Sequence, residues 1–447
     1  MAVRISERER NAILSSLAAG VVPRSGLQHI QVGRKAEVAA MLEDLKRIEG
    51  GASSVRFVVG RYGAGKSFFL NVVQTVALER KFVVVRADIT TERRPHASNG
   101  QARALFAELI QNLATRGRPE GGALANLVER WVGDVAHQVT SAGGTEVDVP
   151  KKVADLCKPL QDLVGGYDFA QVLSQYYKGY VEQNQSLHTA AVRWLRGEYT
   201  TKTEARQDLG VRTIIGDDTY YDHLKLLARF VRIAGYAGLL VCLDELVVLS
   251  HRLNNRVARN NNYEAILRIV NDCLQGSVEG IGFIFAATDE CLTDPRRGLF
   301  SYEALATRLA GNRFAADGLV DLSAPVIKLN TLTPEDCYVL LLNLRRVHAG
   351  GDDGAEQLLP EQGIEQYLQS CQARLGAAYF QTPRDTIKDF INLLNILRQN
   401  PAADWRELIQ GIKTSNVPTL DPSVAAATAG DGGSPQNGGD DLATLKL

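Results

Sequence analysis

The sequence predicts a doubly wound α/β fold, with helices covering both faces of a parallel sheet. Three observations carry that expectation. Five short runs rich in Val, Ile, Leu and Phe lie between helical patterns; they do not alternate apolar with polar residues; and the first ends in a glycine-rich turn that opens a helix. A strand with one wet face alternates, whereas a strand covered on both faces reads as a continuous apolar run.

Along the chain, Ser6 to Ala19 reads as an amphipathic helix, and a Gly33-Arg34 turn precedes a second one with Ala39, Met41, Leu42 and Leu45 in register. The first strand, VRFVVG at 55–60, runs into the glycine turn and then the helical SFFLNVVQTVALE. The second, KFVVVRAD, covers 81–88. About 150 residues separate it from the third, GLLVCLDEL at 238–246, far more than one crossover needs. In that stretch ALFAELIQNLA, ALANLVERWVGDVA, FAQVLSQYYKGYVE, HTAAVRWLRGEY and HLKLLARFVRIAG carry apolar residues at helical spacing, predicting a helical insertion over about 98–225. The fourth and fifth strands are GIGFIFAATD at 280–289 and PVIKLNTL at 325–332. Beyond Leu332 the pattern is helical, until Gly, Pro, Ser, Asp and Ala take over at 414–447, the composition of a disordered tail. The expected organisation is an N-terminal helix at 1–24, an α/β core at 25–332 that includes the insertion, a helical domain at 333–413, and the tail.

Composition acts mainly by exclusion. The 447 residues, 45% of them hydrophobic, can build two or three domains, and a formal net charge of −1 gives no general pull toward nucleic acid or anionic membrane. Any DNA contact must be local, and the insertion, with 14 Lys and Arg against 16 Asp and Glu between 100 and 225, is not a basic module. Six widely spaced cysteines without a C-x-x-C pair argue against a zinc site or a disulfide framework and for a reduced, cytoplasmic setting. None of the seven histidines pairs with a Cys or Asp at ligand spacing. No apolar run approaches the roughly 20 residues that span a bilayer, so no membrane association is expected.

Gly60-Arg61-Tyr62-Gly63-Ala64-Gly65-Lys66-Ser67, with Phe68 in the helix that follows, matches G-x-x-x-x-G-K-[ST] in full, after a buried strand and before a helix. Successive N–H groups of such a loop curl around a β-phosphate at the positive helix end, the lysine neutralises β/γ oxygens, and the serine ligates Mg²⁺. The expected cofactors are ATP and Mg²⁺. Asp244-Glu245 follows four apolar strand residues; the aspartate can hold the magnesium shell at the sheet's C-terminal edge, and the glutamate can polarise the attacking water. Thr288 ends the next strand, where its hydroxyl can position that water, although a threonine starting a turn with Asp289 would look the same. Arg308 and Arg313, in YEALATRLAGNRF, are both candidates to reach a neighbouring subunit's γ-phosphate, with Arg308 the first choice. Arg384, in Thr382-Pro383-Arg384-Asp385, starts a helix and can fold over the nucleotide or stand solvated in the first turn. HRLNNRVARNNN at 251–262 offers Arg252, Arg256 and Arg259 without an acid, either to nucleic-acid phosphates or to solvent.

In this order the pieces resemble the AAA+ P-loop ATPases of the initiator and STAND-like branch. The resemblance makes Gly33-Arg34 with Glu37 an adenine-side box, Thr288 a sensor, Arg308 or Arg313 a finger, and Arg384 the arginine of a C-terminal helical lid. More narrowly, RYGAGKSFFL, VCLDEL, RRGLFSYEALATRLA and TPRDTIKDFINLLNIL are similar to the ATP-binding proteins of BREX phage-defence loci, the BrxD type. That likeness implies a bacterial antiviral role beside methyltransferase, phosphatase-like and helicase-like partner proteins. The finger implies an ATP-dependent homo-oligomer. The long insertion, and the lack of a clear winged helix after the lid, depart from the initiator pattern.

Two functions of different class follow: an ATP-hydrolysing switch or motor working with defence partners on DNA, and a nucleotide-gated scaffold with little turnover. Intact Lys66 and Glu245 favour the first. A P-loop kinase is disfavoured by Glu245 and by the Pro-Arg pair at 383–384.

Overall fold

The computed structural model describes residues 5–97, 99–312, 321–375 and 383–411; Arg313 and the expected tail lie outside the described residues. In chain order, α1 (Glu7–Ala18) and α2 (Lys35–Glu49) precede β1 (Ser53–Val59), and α3 (Lys66–Glu79) joins it to β2 (Val83–Asp88). Then come α4 (Gln101–Gln111), α5 (Leu124–Ser141), α6 (Val149–Leu156), α7 (Gly166–Val181), α8 (Gln185–Leu195), α9 (Lys202–Leu209) and α10 (Tyr220–Ile233). β3 (Leu239–Asp244), α11 (Val247–His251), α12 (Arg256–Leu274), β4 (Ile281–Ala287), α13 (Asp289–Thr293), α14 (Glu303–Leu309) and β5 (Val326–Lys328) follow. The chain closes its described part with α15 (Pro334–Ala349), α16 (Ala355–Leu358), α17 (Glu361–Leu375), α18 (Pro383–Gln399) and α19 (Trp405–Gly411).

The five strands form one parallel sheet in the order β2-β3-β4-β1-β5. Every residue of β1 and β4 is buried, which is why neither run alternates. One face sets Val58, Val84, Leu240 and Ile284 against Met41 and Leu45 of α2 and Phe69 and Val73 of α3. The other sets Phe57, Val85, Val241 and Phe283 in a cluster that runs without interruption into Trp131 of α5, Leu173 of α7 and Trp194 of α8. The helices between β2 and β3 therefore share the apolar core of the sheet and thicken its layer on that side.

A third cluster joins the two ends of the described chain. Ile13 of α1, fully buried, packs with Leu341 and Leu344 of α15, Tyr367 of α17, and Phe390 and Leu394 of α18. Phe68, on the first turn of α3, lies against this same cluster and so links the helical bundle to the glycine-rich loop. Below that loop, Arg56 of β1 makes a buried two-pronged contact with Asp44 of α2, Nε to Oδ2 at 2.5 Å and Nη2 to Oδ1 at 3.0 Å, and also donates to the Ala324 carbonyl. This pins α2, β1 and the approach to β5 together. Among the described residues no helix is long and apolar enough to cross a membrane.

Candidate functional site

Because all five strands run the same way, the loops that follow them emerge along one edge of the sheet. There β1 delivers the glycine-rich loop, β4 delivers Thr288, β3 delivers Asp244 and Glu245, and β2 delivers Asp88. Gly63 and Gly65 hold φ of +79° and +86°, a left-handed backbone that a side chain would strain, and this curl aims the loop at the N-terminus of α3. Lys66 Nζ donates to the Gly60 and Arg61 carbonyls at 2.9 and 3.0 Å, so the ammonium lies over the loop. Ser67 Oγ donates to Asp244 Oδ2 at 2.8 Å, which brings together two hydroxyl and carboxylate oxygens 177 positions apart in sequence. The other carboxylate oxygen, Oδ1, accepts from the Glu245 amide at 2.8 Å. Glu245 itself holds φ of +58°, a conformation that costs a non-glycine residue free energy and occurs mostly where a side chain must be aimed.

The charges at this edge tune one another. Partial burial lowers the Lys66 pKa, and Asp244, Glu245, Asp289 and Cys291 oppose that fall. Glu245 is raised above the ordinary glutamate value, first by desolvation and then by the like charges of Asp244 and Asp88, with Lys66 and Arg252 opposing. Asp88 is raised for the same reasons, desolvation first and Asp244 second, against Arg93 and Arg86. Asp88 and Asp244 face each other in the register of β2 and β3. Asp88 is not among the site residues expected from sequence, although a second apolar run ends there, like LLVCLD, in an aspartate.

The remaining candidate residues are distributed as follows. Arg34, at φ +61°, donates to the carbonyls of Ala64 and Asn330 and sits 3.4 Å from Glu37 Oε1, so its guanidinium braces the glycine loop against the chain leaving β5. Gly33 stands against the carboxylate of Asp336, which accepts from the amide of Thr333, the N-cap of α15. The Thr288 hydroxyl accepts from the Cys291 amide at 3.2 Å and serves as N-cap of α13. Exposed Arg308 donates from Nε to Asn271 Oδ1 of α12 at 3.0 Å. Arg384 of α18 reaches across to the loop, its Nη1 donating to Tyr62 Oη at 2.9 Å. In the stretch 251–262, Arg259 is buried and bonded to the Leu253 carbonyl, while Arg252 and Arg256 are exposed.

The arrangement sets a curled glycine loop and an ammonium beside a paired hydroxyl and carboxylate and a second carboxylate of raised basicity. A family model described as BREX system ATP-binding protein BrxC/D matches residues 5–413. A search of curated proteins finds no match for the chain.

Proposed function

Because the chain belongs to the BREX system ATP-binding protein BrxC/D family, we propose that it is a cytoplasmic AAA+ ATPase, hydrolysing ATP as a switch or motor that works with other phage-defence proteins and on DNA. The observation that carries this reading is the Ser67 to Asp244 hydrogen bond beside Glu245. A serine hydroxyl and one carboxylate oxygen, both hard donors, are the set magnesium takes when nucleotide phosphates complete its shell. Bound magnesium would neutralise phosphate charge. Lys66 and the loop amides bind the phosphates, Asp244 orients Ser67 and the Glu245 amide, and Glu245 accepts the proton of the water that attacks phosphorus.

The further assignments rest on the same reading. Ile30, Val32, Phe68 and Leu332, all in or against the third cluster, supply an apolar flank for the base next to the Gly33-Arg34 turn. Helices α15 to α19 act as the lid, with Arg384 over the loop, and Arg308 serves a neighbouring copy. The scaffold reading draws support from Thr288, whose hydroxyl already caps a helix. Steady-state ATPase assays of the parent, Lys66→Ala and Glu245→Gln, each with and without double-stranded DNA, decide between them. A parental rate well above that of Glu245→Gln supports hydrolysis; equal rates with intact ATP binding leave the scaffold.

A further inference from the structure

Tyr62 is the second variable position of the glycine-rich loop, and the residue is 69% exposed, high for a large aromatic residue. Its hydroxyl accepts from Arg384 Nη1 at 2.9 Å, and the guanidinium carbon lies 5.3 Å from the ring centroid, within cation–π range. The stem of the arginine passes the end of α1. A Cβ built on Gly20, just past the end of α1, would meet Arg384 Cδ, Nε and Cγ at 3.6 to 3.8 Å, so the arginine stem runs along that glycine. Arg384 thus lies between the end of α1 and the glycine-rich loop, bonded to a residue 322 positions away in sequence. Among the described residues Tyr62 is the only hydrogen-bond partner of this guanidinium, which has five N–H donors.

We infer that Tyr62 is a positioning residue for nucleotide phosphate: it holds Arg384 over the loop so that the remaining guanidinium donors meet an incoming phosphate without a further search for the right rotamer. The inference rests on the ATP-binding reading and adds a residue to it. Holding a long side chain in its bound geometry removes part of the entropy cost of binding. Tyr62→Phe keeps the ring and deletes the hydroxyl; Tyr62→Ala deletes both contacts. The test measures ATP affinity by calorimetry on the full chain, in the parental and Arg384→Ala backgrounds, with Arg384→Lys as a second variant should Arg384→Ala fail to fold.

Loss of one solvent-exposed hydrogen bond should weaken ATP about threefold to tenfold in Tyr62→Phe, and more in Tyr62→Ala. Neither change should add to the loss already caused by Arg384→Ala. A merely structural tyrosine would act equally in both backgrounds and would lower the melting temperature without nucleotide. Parental affinity in Tyr62→Phe, an equal loss in both backgrounds, or tighter binding would each overturn the assignment, the last by showing that the contact with Arg384 competes with phosphate. Lys66→Ala separates the two layers: if it too binds ATP like the parent, the loop is not the nucleotide site and the reading beneath the inference is what fails.

Discussion

At the scale of single residues, the proposed reading divides the site into groups that bind and groups that react. Lys66→Ala removes the ammonium over the loop and should abolish tight ATP binding, whereas Glu245→Gln keeps shape and should keep binding while losing hydrolysis. Calorimetry with ATP beside a turnover assay distinguishes the two, and hydrolysis by Glu245→Gln at the parental rate would remove Glu245 as the base. The charges add a pH dependence with a definite sign. A carboxyl whose pKa is raised keeps its proton to higher pH, so a base of this kind becomes active only as pH climbs through the raised value. In the nucleotide-free protein the Glu245 carboxyl should therefore titrate above the ordinary glutamate range, and Asp88→Asn, by removing one like charge, should lower that titration, followed by NMR of the side-chain carboxyl. A Glu245 titration that stays put in Asp88→Asn would show that the charge across the β2–β3 register does not reach Glu245. Gly60 to Ser67 and Asp244-Glu245 were legible because their chemistry is written in consecutive residues. Asp88 was not, since a lone aspartate at a strand end gains meaning only from the register that sets it opposite Asp244.

At the scale of elements, the strands could be read because burial on both faces leaves an apolar run, and a run of that kind between helices has few other uses. Helix α1, which Ser6 caps, was legible as a helix but not as part of the C-terminal bundle, and the cap itself comes from the structure. Amphipathicity says that a face is buried and is silent about what covers it. Ile13, fully buried against α15 and α18, gives the consequence: Ile13→Ala should destabilise the protein by about 2–4 kcal/mol through lost transfer energy and a residual cavity, measured by denaturant titration. A change below half a kilocalorie would mean that α1 is not docked. The Arg56–Asp44 contact between β1 and α2 has the opposite character, polar and equally buried. Asp44→Ala leaves a buried guanidinium without its carboxylate and should cost about 3–5 kcal/mol, whereas replacing both partners with apolar residues of similar volume should recover most of that. If the double replacement is as unstable as the single one, the pair contributes more than relief of an unpaired charge. Thr288 shows the limit of reading by position, because a hydroxyl at a strand end serves equally to hold water or to cap the next helix, and here it caps α13.

At the scale of the whole molecule, the length between β2 and β3 announced extra helices, but not that their core would fuse with one face of the sheet from Phe57 through Trp131 to Trp194. On the proposed reading, a neighbouring copy supplies a further positive charge to the nucleotide at the sheet edge. Arg308 fits such a role. It is exposed on α14, its Nε is fixed by Asn271 of α12, and Asn271 is the only hydrogen-bond partner found for its guanidinium among the described residues. A guanidinium held at its base and free at its tip is suited to the γ-phosphate of a neighbouring copy. Arg308→Ala should then lower turnover on the order of 10³-fold while leaving ATP affinity nearly unchanged, because the charge it meets develops mainly in the transition state. Mixing fixes the geometry. An Arg308→Ala subunit keeps its own Glu245, and a Glu245→Gln subunit keeps its own arginine, so assemblies of these two inactive proteins should regain activity wherever a parental Glu245 faces a parental Arg308. Mass measurement confirms that the assemblies are mixed. If mixed assemblies stay inactive, Arg308 does not act across an interface, and the charge must come from within the subunit or from a partner protein.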